Sequence, residues 1–192
     1  MISNKTPNPF VGLKPYSERD SEVFFGREQE VENLLEILQK NKLVTLSGAS
    51  GSGKTSLIKA GLINRLKSGF VGQSGKDWSV AYFRPGIEPL LNLSHALSAN
   101  GVLKINSKSN TTDQKYYSEV ISNFNSLGII EIFKRSEIYD KKNLLIVIDQ
   151  LEDLYRYHKY FDYSTKEDDN ILMDLIYRSV TYKNTAIYFL IS

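Results

Sequence analysis

Apolar side chains recur along this chain with two different periods, and their alternation predicts the architecture. From Arg27 onward, Val31, Leu34, Leu35 and Leu38 fall at i, i+3, i+4 and i+7, the spacing that lines one face of a helix. LVTLS at 43–47 reads as a short buried strand, and a second helix is expected to run through about Leu66. KSGFVGQSGKD at 67–77 is turn chemistry. SVAYF at 79–83 is the next strand, halted by Arg84-Pro85-Gly86, with a helix over roughly 88–98. Residues 106–115, NSKSNTTDQK, are polar and read as a surface loop open to nicking. Tyr117, Val120, Ile121 and Phe124 restore helical spacing, and NLLIVID at 143–149 is an unbroken apolar strand of the kind covered on both faces. Leu151, Leu154 and Tyr155 mark one further helix, and Leu172, Leu175 and Ile176 another. Residues 184–192 form a last apolar β-rich run. Residues 1–20 carry Pro7, Pro9 and Pro15 and no periodicity, so an extended lead-in is expected there.

Fully apolar strands alternating with helices argue for an α/β fold, a mostly parallel sheet in a three-layer α/β/α sandwich, with 21–192 as its core. A length of 192 residues suits one such domain, and 41% apolar with 24% charged residues is an ordinary globular composition. The net charge of +2 gives no reason to expect nucleic acid or an anionic membrane as partner. The tyrosines are scattered and do not alternate with basic residues, so no nucleic-acid platform emerges. The absence of cysteine excludes disulfides and thiolate metal sites. Neither a secretory h-region nor an apolar run of the ~18–20 residues that spans a bilayer is present, so a cytoplasmic chain is expected.

One stretch carries specific chemistry. Gly48-Ala49-Ser50-Gly51-Ser52-Gly53-Lys54-Thr55 fits G-x-x-x-x-G-K-[ST] without a mismatch, between an expected strand and an expected helix. Its glycines allow successive amides to point inward at phosphate oxygens, and the helix beginning at Gly53 adds the positive end of its dipole. The nucleotide-binding candidates are therefore Gly48, Ser50, Gly51, Ser52, Gly53, Lys54, Thr55 and Ser56. Lys54 would act on the outer phosphates, and the Thr55 hydroxyl would face Mg2+. A plain Gly/Ser turn is the alternative. A metal-side acid is needed on a neighbouring strand, and Asp149 ends one, where packing does not call for a charge. Glu152 is the candidate for orienting the attacking water, with Asp153 as fallback; both also read as acids at a helix start. His95 and His158 have no partner at metal or triad spacing and read as ordinary helix residues. Trp78 before its strand reads as core or loop anchor, and 166–169 reads as a solvated helix start.

NPFVGLKPYSERDSEVFFGREQEVENLL, LSGASGSGKTSLIKAGL and LLIVIDQLEDLY, with SVAYFRPGIEPL between them, together resemble the novel STAND NTPase 1 family, relatives of NACHT and AAA+ modules. The resemblance implies a P-loop signalling ATPase that binds ATP or ADP with Mg2+, hydrolyses slowly and acts as a switch, with stimulus-dependent oligomerisation and a role in defence or stress signalling. It places Phe25, Gly26 and Arg27 near the adenine, makes Asp149 the Walker B acid, and has the 1–20 lead-in contribute to the pocket. Gln150 stands where many AAA+ proteins keep a catalytic glutamate. Residues 189–192 fall on the family's sensor-one strand, so the chain is expected to end inside it, without the helical lid. That strand should lie between the P-loop strand and the Asp149 strand, with apolar faces left open to association. Two other readings stay open: a nucleotide-binding scaffold without turnover, and a P-loop small-molecule kinase, although no arginine-rich lid sequence follows the loop.

Overall fold

The computed structural model describes residues 12, 14–70, 75–99, 101–105, 113–157 and 164–192. Residues 106–112 of the expected nicking loop, His158, most of the proline-bearing lead-in and the middle of the 67–77 turn lie outside the described residues, and residues 113–115 of that loop instead begin a helix. Four strands, β1 (Leu43–Thr45), β2 (Asp77–Phe83), β3 (Lys142–Ile148) and β4 (Ile187–Ile191), form a parallel sheet in the order β1-β4-β3-β2. As the sequence predicts, β4 lies between β1 and β3: Phe189 is registered with Leu43 on one side and Ile146 on the other.

Alternation along each strand builds the layers. Leu144, Ile146 and Ile148 of β3 enter one apolar cluster, while Leu145 and Val147 enter the other. The first cluster joins the sheet to α4 (Pro89–Ser98), α5 (Asp113–Phe124), α6 (Gly128–Arg135) and α8 (Ser164–Thr181). The second joins it to α1 (Glu28–Lys40) and to the helix after the phosphate-loop motif. That helix runs as α2 (Lys54–Ser56), a wider π-helical stretch (Leu57–Ile63) and α3 (Asn64–Lys67). A short α7 (Asp153–Tyr157) follows β3. The fold is the expected three-layer α/β/α sandwich.

Several expectations need correction. The faces of β4 are not open: Ile187, Phe189 and Leu190 are each 0% exposed, because helices cover both sides, so this strand offers no apolar face for association. The first strand spans Leu43–Thr45 rather than 43–47, and Leu46, just past it, makes a last bond to Ile191 O. The lead-in is not extended throughout; a 3-10 helix (Glu18–Val23) opens on Ser17, whose amide and hydroxyl both donate to Asp20. Helix α6 is missing from the sequence reading. Its apolar positions Ile129, Ile130, Ile132 and Phe133 have helical spacing, but it is shorter than the window in which periodicity is counted.

Candidate functional site

The carboxyl edge of the sheet gathers the motif residues. Gly48 and residues 50–56 wrap one side of a cavity of about 510 Å³, and Asp149, Gln150 and Glu152 face them across it. Left-handed backbone at Gly51 (φ 79°) and Gly53 (φ 83°) makes the tight loop possible. A Cβ at Gly48 would stand 2.9 Å from Ser52 Oγ, so a side chain there would make the Ser52 hydroxyl turn aside. Lys54 is turned back over the loop, its Nζ donating to Gly48 O at 2.8 Å and Ala49 O at 3.3 Å. Held there, the ammonium stands over the concavity that the loop encloses.

Asp149 is the electrostatic centre. It is 1% exposed, and its two oxygens accept from the hydroxyls of Thr55, Tyr82 and Ser192. Thr55 Oγ1 donates to Oδ2 at 3.0 Å, with Oδ1 at 3.2 Å, and Ser192 Oγ donates to Oδ1 at 2.6 Å. Oδ2 also accepts from the Tyr82 hydroxyl and from Arg84 Nε and Nη2 at 3.3 and 3.2 Å. Burial by itself would raise the carboxyl's pKa. The hydrogen bonds from Ser192, Tyr82 and Thr55 and the charge of Arg84 outweigh it and hold the group below the usual carboxylate range. Tyr82 moves the other way, pushed far up by burial and by the carboxylate it serves. Asp149 is therefore an ionised acid beside the loop threonine, on the same side of the sheet.

Other sequence-predicted residues are placed differently. Phe25 is 74% exposed, and neither it nor Gly26 lines the cavity. The backbone turns there, with Gly26 at φ 83°, so that Phe24 packs inward beside Tyr16 while Phe25 points out. Arg27 grips the loop from outside: its Nη1 donates to Ser52 O at 3.2 Å, and Glu30 pairs with its Nε at 2.6 Å. Asp153 is buried at the start of α7, 3.5 Å from Arg156, and does not line the cavity. Burial raises its pKa, Arg156 opposes, and Glu152 and Asp149 add to the rise. Glu152 does line the cavity and is exposed to it. His95 is exposed on α4, and Trp78 is buried in β2.

Tyr82 and Ser192 stand in no local motif, and Arg84 reads in the sequence as a turn residue. Strand register was the missing signal: Phe83 pairs with Ile148, which sets Arg84 beside Asp149. The lead-in reaches the site as well. Gly12, Lys14, Pro15 and Tyr16 line the cavity, and the Tyr16 amide donates to Ser56 Oγ at 3.1 Å.

A family model described as Novel STAND NTPase 1 matches residues 9–188. The chain belongs to that family. No curated protein matches it. Among solved structures it is similar to the Aeropyrum pernix ORC2 protein (ADPNP-ADP complexes), with 17% identity and a TM-score of 0.39, over 88% of this chain and 41% of that one. The chain thus spans less than half the length of that structure. As a STAND NTPase it is a nucleotide-binding chain of the P-loop class. Among the described residues of this STAND NTPase no helix is long and apolar enough to cross a membrane.

Donor chemistry tests whether a magnesium nucleotide fits. Among the described residues no group of three or more His, Cys, Asp or Glu could hold a metal by itself. Mg2+ does not need one, because it takes one or two protein oxygens and completes its shell with phosphate and water. The Thr55 hydroxyl and Asp149 carboxylate, 3.0 Å apart at the loop's end, are such a pair. The glycine-lined loop beside them leaves room for phosphate. The residues fit the group.

Proposed function

We propose that this STAND NTPase holds ATP or ADP in the cavity, hydrolyses ATP slowly, and uses the difference between the two as a switch. The juxtaposition of Thr55 and Asp149 beside the loop carries the reading. The loop amides from Gly48 to Thr55 would bind phosphate oxygens, and Lys54 would exchange its two carbonyl partners for the outer phosphates. Thr55 and Asp149 would hold Mg2+, which supplies charge neutralisation of the phosphates. Glu152, facing the cavity, is the acid to orient water; Asp153 is displaced from that role by its burial behind Arg156. Gly12, Lys14, Pro15 and Tyr16 make the lead-in one wall of the pocket. Signalling in defence or stress, a cytoplasmic setting and oligomerisation on a stimulus belong to the same proposal, through the family resemblance.

The test is calorimetric titration of the chain with ADP and ATP in Mg2+, together with identification of any nucleotide released on denaturation. Lys54→Ala should abolish uptake, and Glu152→Gln should keep uptake while stopping turnover. A second reading, a nucleotide-binding scaffold without turnover, is favoured by Gln150, an uncharged amide that follows Asp149 at φ 63° and lines the cavity. Binding with no ADP produced over many hours would select it. An unchanged hydrolysis rate in Glu152→Gln would remove Glu152 from the chemistry.

A further inference from the structure

Arg84 leaves β2 directly after Phe83, and the parallel register fixes it beside Asp149. The turn behind it is anchored: Gly86 takes φ +57°, and Asn92 Nδ2 donates to Pro85 O at 2.9 Å. Its Nε and Nη2 both donate to the same carboxylate oxygen, Oδ2, which Thr55 also serves. The partners differ sharply in exposure, the Asp149 side chain at 1% and that of Arg84 at 44%. The acid is buried at the cavity's edge and held by several donors, whereas the guanidinium stands on the cavity wall with room to move.

A buried carboxylate is costly without a cation beside it, and Arg84 is the cation here. A divalent ion held by Thr55 and Asp149 supplies the same charge more strongly. Two cations around one carboxylate then repel each other, and the more exposed one yields. The guanidinium has a destination in the same cavity, because its planar fork matches phosphate oxygens. Were Thr55 and Asp149 to hold the Mg2+ of a bound nucleotide, the outer phosphates that the ion neutralises would lie at this end of the loop. The Arg84 guanidinium, turning from Asp149 into the cavity that it lines, would face that outer end.

We propose that Arg84 is a nucleotide-sensing residue: it holds Asp149 before loading and passes to the terminal phosphate of a bound triphosphate, so that the chain tells triphosphate from diphosphate. The inference rests on the nucleotide reading above. It is tested by fluorescence titration with ADP and with a non-hydrolysable ATP analogue, both in Mg2+, on the native chain, Arg84→Ala and Arg84→Lys. Arg84→Ala is expected to lose about tenfold more affinity for the triphosphate analogue than for ADP, the worth of one charge-assisted pair. Arg84→Lys keeps the charge but not the fork and should fall between. Melted with Mg2+ alone, Arg84→Ala should gain more in Tm than the native chain, because its Asp149 has no resident cation. Equal losses for the two nucleotides, no loss, or equal Mg2+ shifts would overturn the sensing role and leave the nucleotide site standing. Should Arg84→Ala fail to fold, the triphosphate-to-ADP affinity ratio of Arg84→Lys decides, a fall supporting the proposal and an unchanged ratio overturning it. A native chain that binds neither nucleotide overturns the reading beneath, and this inference with it.

Discussion

Four side chains, Thr55, Tyr82, Arg84 and Ser192, converge on the single buried carboxylate of Asp149. Because they hold its pKa below the ordinary carboxylate value, the group stabilises the folded chain at pH above the unfolded pKa. That stability is lost as pH falls through the lowered folded value. The acid arm of a melting curve against pH, followed by circular dichroism below about pH 4, should therefore be shallower in Asp149→Asn than in the native chain. Asp153 has the opposite sign. Its raised pKa makes its contribution largest below the unfolded value and lost as pH climbs through the folded one, so Asp153→Asn should relieve destabilisation at neutral pH, seen as a higher Tm. The identities of these residues could be read in sequence for Asp149 and Thr55, since each stands at a fixed offset in a local motif. Tyr82 and Ser192 could not, because they come together across strands 43 to 110 residues apart and no local pattern links them.

At the scale of elements, close approaches decide what periodicity leaves open. Helices α5 and α6 meet where Gly128 has no side chain: a Cβ there would stand 2.8 Å from Ile121 Cα, a main-chain atom that cannot swing aside. Gly128→Ala is expected to cost about 1–3 kcal/mol through overpacking, visible as a lowered Tm with nucleotide affinity unchanged. Gly61 plays the same part between α1 and the helix after the loop, where a Cβ would come within 2.5 Å of Val31 Cγ2. Long elements such as α1 and β3 were legible because many residues repeat one period. The 3-10 helix at Glu18–Val23 was not, because its capping contacts from Ser17 to Asp20 leave no apolar stripe. Phe24 and Phe25 part company at the turn before α1, where Phe24 packs against the core and Phe25, which the resemblance places near the adenine, is exposed.

For the whole molecule, the proposed function would link ligand and fold through the loop. Saturating Mg2+ and nucleotide at ~100 times Kd should raise stability by about 2.7 kcal/mol and Tm by about 5–10 °C, measured by scanning calorimetry. In Lys54→Ala the shift should vanish, because the outer phosphates lose their cation. The sequence alone determined the sandwich, the place of the phosphate loop and the acid opposite it, because hydrophobic period and short motifs are local properties of the chain. Tertiary structure decided the rest. Parallel register sets Arg84 against Asp149, helix packing seals β4 on both faces, and the turn before α1 takes Phe25 away from the cavity. Each depends on where separate segments meet, and such meetings are fixed by the packing of the whole chain rather than by any stretch of it.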